Sequence, residues 1–128
     1  MSKSVGSLDL GNPPTNHHES IGLLSKTVMN ETRVTQLLSK AHTLYNSGRY
    51  KDALDCCDQA YEADAFRTDN LLLTGAIHFQ LRNYSESIFY NQQCIRVDPN
   101  FAEGYSNLGN ALKELGDLKA AVQFYQKV

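Results

Sequence analysis

From Val34 onward, apolar side chains recur in steps of three and four: Leu37, Ala41 and Leu44, then Tyr50, Ala53, Leu54, Cys57, Ala60 and Tyr61. That spacing keeps them on one face of a helix and predicts paired amphipathic helices rather than strands. The pattern also returns on itself at a constant stride. Leu37 aligns with Leu71 and Tyr105, Ala41 with Gly75 and Gly109, and Tyr50 with Tyr84 and Leu118. Ala53 likewise aligns with Ser87 and Ala121, and Leu54 with Ile88 and Val122, with no insertion needed. Pro99 is the only proline after Thr15, so no proline breaks a helix from within. Gly48 and Gly116 share a register and suit the left-handed residue that closes a helix, with Arg82 as a departure between them. Asn83 with Glu86, and Asn100 with Glu103, have capping-box spacing. Small residues at Ala41, Gly75 and Gly109 let the two helices of a hairpin approach closely.

One helical hairpin cannot bury its own apolar face, so successive hairpins must stack, each covering its neighbour. The expected fold is therefore all-α: a solenoid of antiparallel helical hairpins, two and a half to three in number. The units are 34–67, 68–101 and a shorter 102–128. Before them, 19–33 carries Ile21, Leu23, Leu24 and Val28 at near-helical spacing and predicts a separate short helix. Residues 1–18 hold Gly6, Gly11, Pro13 and Pro14 without an apolar run, which predicts a flexible leader rather than a targeting signal. At the other end Val128 falls inside a predicted helix with no polar cap after it, so a longer parent protein is expected.

The stride, the Gly-x-Tyr/Leu-x-x-Ala turns, the run from Ala102 to Asp117 and the place of Pro99 together resemble the tetratricopeptide repeat. The first unit departs from that pattern, with Ala65 in place of the inter-repeat proline and Lys40 in place of a leucine. The run from Arg67 to Leu81, followed by Ala102 to Glu114, is similar to the first repeats of protein O-GlcNAc transferases. That resemblance implies a superhelix presenting protein substrates to a catalytic region that uses UDP-GlcNAc and is absent from these residues. It also implies asparagines that hold a substrate backbone, for which Asn107 occupies the place and Ser39 and Leu73 do not. The alternative is a non-catalytic scaffold or adaptor.

By the family's helix geometry, a concave groove for protein or peptide partners is expected from Leu38, His42 and Tyr45, then Leu72, Ala76 and Phe79, then Ser106, Asn107, Asn110 and Lys113. Its lining passes from apolar to polar. Leu38, Tyr45, Leu72 and Phe79 form an apolar patch of the kind that marks a partner site. Some family members clamp a carboxylate tail with basic residues. Leu38, Leu73 and Glu103 stand at three of those positions, which argues against that ligand.

Composition removes other classes. The 128 residues carry 12 bases against 14 acids, with no basic footprint for nucleic acid. No run approaches the roughly 18 apolar residues that cross a bilayer. Three cysteines, two of them adjacent at Cys56 and Cys57, do not make a disulfide framework and favour a reducing compartment, cytoplasmic or nuclear. Cys56, Cys57 and Cys94 fall near core positions, where cysteine behaves as a small hydrophobe. His42 and His78 occupy different repeat positions, and His17 and His18 lie in the leader, so no spaced metal site is expected. Asp52 and Asp55 read as a solvated helix face. No phosphate-cradling glycine loop occurs. Neither a cofactor nor catalysis is expected from this segment.

Overall fold

The computed structural model describes residues 16–117 together with 122, 123 and 126. Its helices are α1 (Asn16–Asn46), α2 (Tyr50–Ala63), α3 (Thr68–Gln80), α4 (Tyr84–Val97) and α5 (Ala102–Leu115), with no strand among the described residues. The chain divides into two units, residues 1–33 and 34–128. In the first, the expected separate short helix at 19–33 is not separate, because α1 runs unbroken from Asn16 to Asn46. No glycine or proline lies between Leu23 and Asn46 to stop it. Residues 16–18 of the expected leader are thus helical, and 1–15 lie outside the described residues. Most of the last predicted helix, beyond Asp117, also lies outside them.

The second unit is built of helical hairpins. Its core joins successive elements rather than enclosing a single centre. Ala41 of α1, Ala53, Cys56 and Cys57 of α2, and Leu73 and Ile77 of α3 form one buried cluster, so the third helix seals the first hairpin. Val34, Leu38 and Ala60 form a second cluster, and Leu108 and Leu112 pack against Ile88 and Ile95 in a third. Helix α3 touches α2, α4 and α5, which makes it the central element. Polar side chains add geometry to this packing. Ser87 Oγ donates to the Gly75 carbonyl at 2.8 Å across the α3/α4 hairpin, and Asn70 Nδ2 donates to the Cys57 carbonyl at 3.0 Å between hairpins. Tyr105 Oη donates to the Pro99 carbonyl at 2.8 Å and fixes the start of α5 against the preceding turn.

The first helix of each hairpin ends in the same way. Arg49 N–H reaches back to Leu44 O while Gly48 N–H bonds Tyr45 O. The pairs Asn83 to His78 with Arg82 to Phe79, and Asp117 to Leu112 with Gly116 to Lys113, repeat it. This is the paired C-terminal bonding that requires a left-handed residue. Gly48 (φ 78°) and Gly116 (φ 99°) supply it without strain, and Arg82 is forced into the same conformation at φ 63°. Arg82→Gly is therefore expected to stabilise the chain by about 0.5–1 kcal/mol. The relief of left-handed strain is partly offset by the extra freedom of glycine in the unfolded chain. A urea titration reads this directly, and a lower midpoint would show that the Arg82 side chain contributes more than its backbone strain costs.

The expected capping boxes do not form. Asn83 precedes α4 but makes no side-chain cap bond, its Nδ2 lying instead 3.4 Å from His78 Nδ1. The residue that precedes α5 is Phe101, one beyond Asn100. Aspartates take over the turns between hairpins: Asp64 Oδ1 accepts from Phe66 N–H and Asp98 Oδ1 from Asn100 N–H, at equivalent places in successive units.

Candidate functional site: a neutral pocket between hairpins

A pocket of about 190 Å³ opens in the second unit, lined by Tyr45, Gly75, Ala76, Phe79, Gln80, Ser87, Asn107 and Asn110. It crosses three first helices on a diagonal. Tyr45 comes from the end of α1, Ala76 and Phe79 from the middle and end of α3, and Asn107 and Asn110 from the middle of α5. Gly75 and Ala76 make room by having little or no side chain, and the two aromatics in the lining are half-buried. Each aromatic is braced by the first residue of the following helix. Tyr45 packs on Tyr50 with ring centroids 5.5 Å apart, and Phe79 packs on Tyr84 at 5.4 Å. These pairs fall one stride apart, so the repeat builds the same support twice.

Of the ten residues expected to line a groove, Tyr45, Ala76, Phe79, Asn107 and Asn110 meet here. Leu38 does not: it is buried with Val34 and Ala60, and the expected exposed apolar patch loses that member to packing between α1 and α2. Leu72 and Ser106, at the same register, are half-buried and outside the pocket, and His42 and Lys113 are exposed outside it. The register that points into the pocket shifts by about a turn between hairpins, so a fixed choice of repeat positions selects only part of the lining. Gly75, Gln80 and Ser87 complete it. Gly75 could have been found as the small-residue register, while Ser87 enters from a second helix that the groove pattern leaves out.

Among the described residues the pocket is neutral, with no lysine or arginine in its lining. It offers aromatic faces at one end and amide groups at the other, which suits an extended polypeptide: a side chain against Tyr45 and Phe79, a backbone against the asparagines. The other candidate chemistry is quiet. Burial pushes the Cys57 thiol up to about 12, although a Thr74 hydrogen bond opposes it, and raises Cys94 to about 11. Both thiols therefore stay protonated and serve as core packing. No group of three His, Cys, Asp or Glu able to hold a metal occurs among the described residues. No described helix is long and apolar enough to cross a membrane.

Comparison with known proteins agrees with this architecture. Tetratricopeptide-repeat models match residues 37–66, 69–101 and 90–123. A probable UDP-N-acetylglucosamine–peptide N-acetylglucosaminyltransferase of Arabidopsis thaliana is 46% identical over 88 residues, 69% of this chain and 9% of the relative. The corresponding transferase of Caenorhabditis elegans is 40% identical over 89 residues, 70% of this chain and 8% of the relative. The chain thus spans about a tenth of the length of these relatives. Among solved structures, the second tetratricopeptide domain of Spaghetti bound to an HSP90 peptide superposes with a TM-score of 0.75 at 19% identity, covering 80% of this chain and 94% of that domain. By stride, hairpin geometry and these matches, the chain belongs to the tetratricopeptide-repeat family, as a protein-interaction segment.

Proposed function

We propose that this segment is the substrate-recruiting arm of a UDP-GlcNAc-dependent protein O-GlcNAc transferase. It holds extended protein segments in the pocket of Tyr45, Phe79, Asn107 and Asn110, while glycosyl transfer to serine or threonine is carried out elsewhere in the protein. The observation that carries this reading is the 46% identity over 88 residues to the plant transferase, which far exceeds what the repeat pattern alone demands. A cytoplasmic or nuclear setting belongs to the proposal, since the three cysteines are free and buried.

A second reading, an adaptor that grips the acidic tail of a chaperone, draws on the likeness to the peptide-bound Spaghetti domain. The chemistry favours the first. A terminal carboxylate needs cations, and the described residues of the pocket lining supply none. The test uses the complete product of the gene: it should transfer GlcNAc from UDP-GlcNAc to protein serine or threonine. The Phe79→Ala/Asn110→Ala double variant should lose protein substrates while still modifying a short free peptide. A folded product with no transferase activity overturns the reading. Tight binding of the peptide SRMEEVD by the unmodified chain would favour the adaptor.

A further inference from the structure

A second surface lies on the other side of α3 from the pocket. His78 stands two residues from both Ala76 and Gln80, about 200° round the helix, and points away from the pocket they line. Its ring stacks on Tyr90 of α4, with centroids 5.5 Å apart and planes within 5°. Tyr61 of α2 meets Tyr90 at 5.8 Å and 85°, and Phe89 meets it at 5.2 Å and 89°. Three rings set at right angles to or beside Tyr90 thus join α2, α3 and α4, and Phe89 remains 47% exposed. Tyr61 and Tyr90 are half-buried, and the faces of such rings carry negative potential.

The charges around the rings have the same sign. Asp55, Asp58 and Glu62 follow one another along α2 at three- and four-residue steps, and Glu86 opens α4; all four are exposed. Asp58 and Glu86 both lie within electrostatic reach of His78 and of the Tyr90 hydroxyl. Asp58 is held above the ordinary carboxylate range, first by burial and then, against the pull of His78, by repulsion from Asp55 and Glu62. The ion pairs nearby are spent elsewhere, Arg49 on Asp52 and Arg67 on Asp69. Lys51 and Arg96 share these helices but are not among the groups that act on the cluster.

Carboxylates around a partly exposed aromatic cluster are complementary to one chemical group above others. A guanidinium is planar, stacks on tyrosine and forks to carboxylates, whereas an ammonium offers only a point charge. We propose that the face formed by Tyr61, Phe89 and Tyr90 between Asp58 and Glu86 docks an arginine of a basic segment in a partner protein. This surface is separate from the pocket and stands whether or not the pocket recruits transferase substrates.

The probe is an acetylated, amidated hexa-arginine peptide, followed by the aromatic resonances of the 128-residue chain in NMR. Binding should move the Tyr61, His78, Phe89 and Tyr90 ring signals, and hexa-lysine should bind about threefold more weakly. The Asp58→Asn/Glu86→Gln variant, which removes only exposed charges, should weaken hexa-arginine about fivefold. A control with the same charge change on α5, Glu103→Gln/Glu114→Gln, both exposed and away from the rings, should weaken it less than twofold. Equal losses in the two variants, or ring signals that stay still while the peptide binds, would reduce the effect to diffuse charge attraction and overturn the site. Peptide-free ring shifts that grow with protein concentration would overturn it in favour of a second copy of this chain.

Discussion

Ile77→Ala is expected to cost about 3–4 kcal/mol of stability, read as a lower urea midpoint with little change in slope. Ile77 is fully buried, and its neighbours in the cluster come from three helices: Ala41, Ala53, Cys56, Cys57 and Leu73. Two of those neighbours are alanines, already as small as a side chain can be while keeping a Cβ, so the walls have little left with which to fill the space. The vacated volume therefore stays largely open, and the cost lies toward the upper part of the large-to-small range. Against a total of about 5–15 kcal/mol for a domain, that is a substantial fraction. It should also uncouple the units, because Ile77 is where α3 seals the first hairpin. A loss below about 1 kcal/mol would mean that α3 does not close over α1 and α2 as described.

Gly75→Leu is expected to cost about 3 kcal/mol and to close the pocket at the same time. A Cβ placed on Gly75 would sit 2.8 Å from Asn91 Nδ2, 3.1 Å from its Cγ and 3.2 Å from its Oδ1. Asn91 cannot easily retreat. It is fully buried, and its amide donates to the Ser87 carbonyl at 2.9 Å. The helix-propensity gain on replacing glycine, up to about 1 kcal/mol, is too small to compensate. The double variant Gly75→Leu/Asn91→Ala provides the control. Truncating Asn91 frees the space but forfeits its amide bond to Ser87, so its own cost is read from the Asn91→Ala single variant. Recovery of more than 1 kcal/mol in the double variant would assign the damage to this contact. A tolerated Gly75→Leu would show that α3 and α4 need not approach so closely.

The stride and the small-residue register made the hairpins legible. The collision at Gly75 is the physical content of that register: glycine is there because another helix is in the way. Arg82 stands in the same register as Gly48 and Gly116 but departs from it in residue type, and the repeated hydrogen bonds impose the left-handed conformation on it all the same. Capping-box spacing assigned caps to Asn83 and Asn100, whereas aspartates at Asp64 and Asp98 order the turns through their own side chains. Capping residues are interchangeable by propensity, and only the backbone path decides which of several neighbours is used.

For the pocket, the first-helix pattern found both aromatics and both asparagines but also included Leu38, which the packing of α1 against α2 takes out of reach. The ring cluster around Tyr90 left no sequence signal, since Tyr61, His78 and Tyr90 lie at unrelated repeat positions.

Sequence alone determined that this chain is a stack of helical hairpins, how many residues each takes, and which face of each helix is greasy. Those properties follow from periodicity, which is local and survives in a one-dimensional record. Tertiary structure decided which of the greasy residues are sealed, where three helices leave a neutral hollow, and which rings meet across α2, α3 and α4. Each of these depends on how far one helix slides and turns against the next. That offset is fixed by side chains distant in the chain fitting together, and no single helix encodes it.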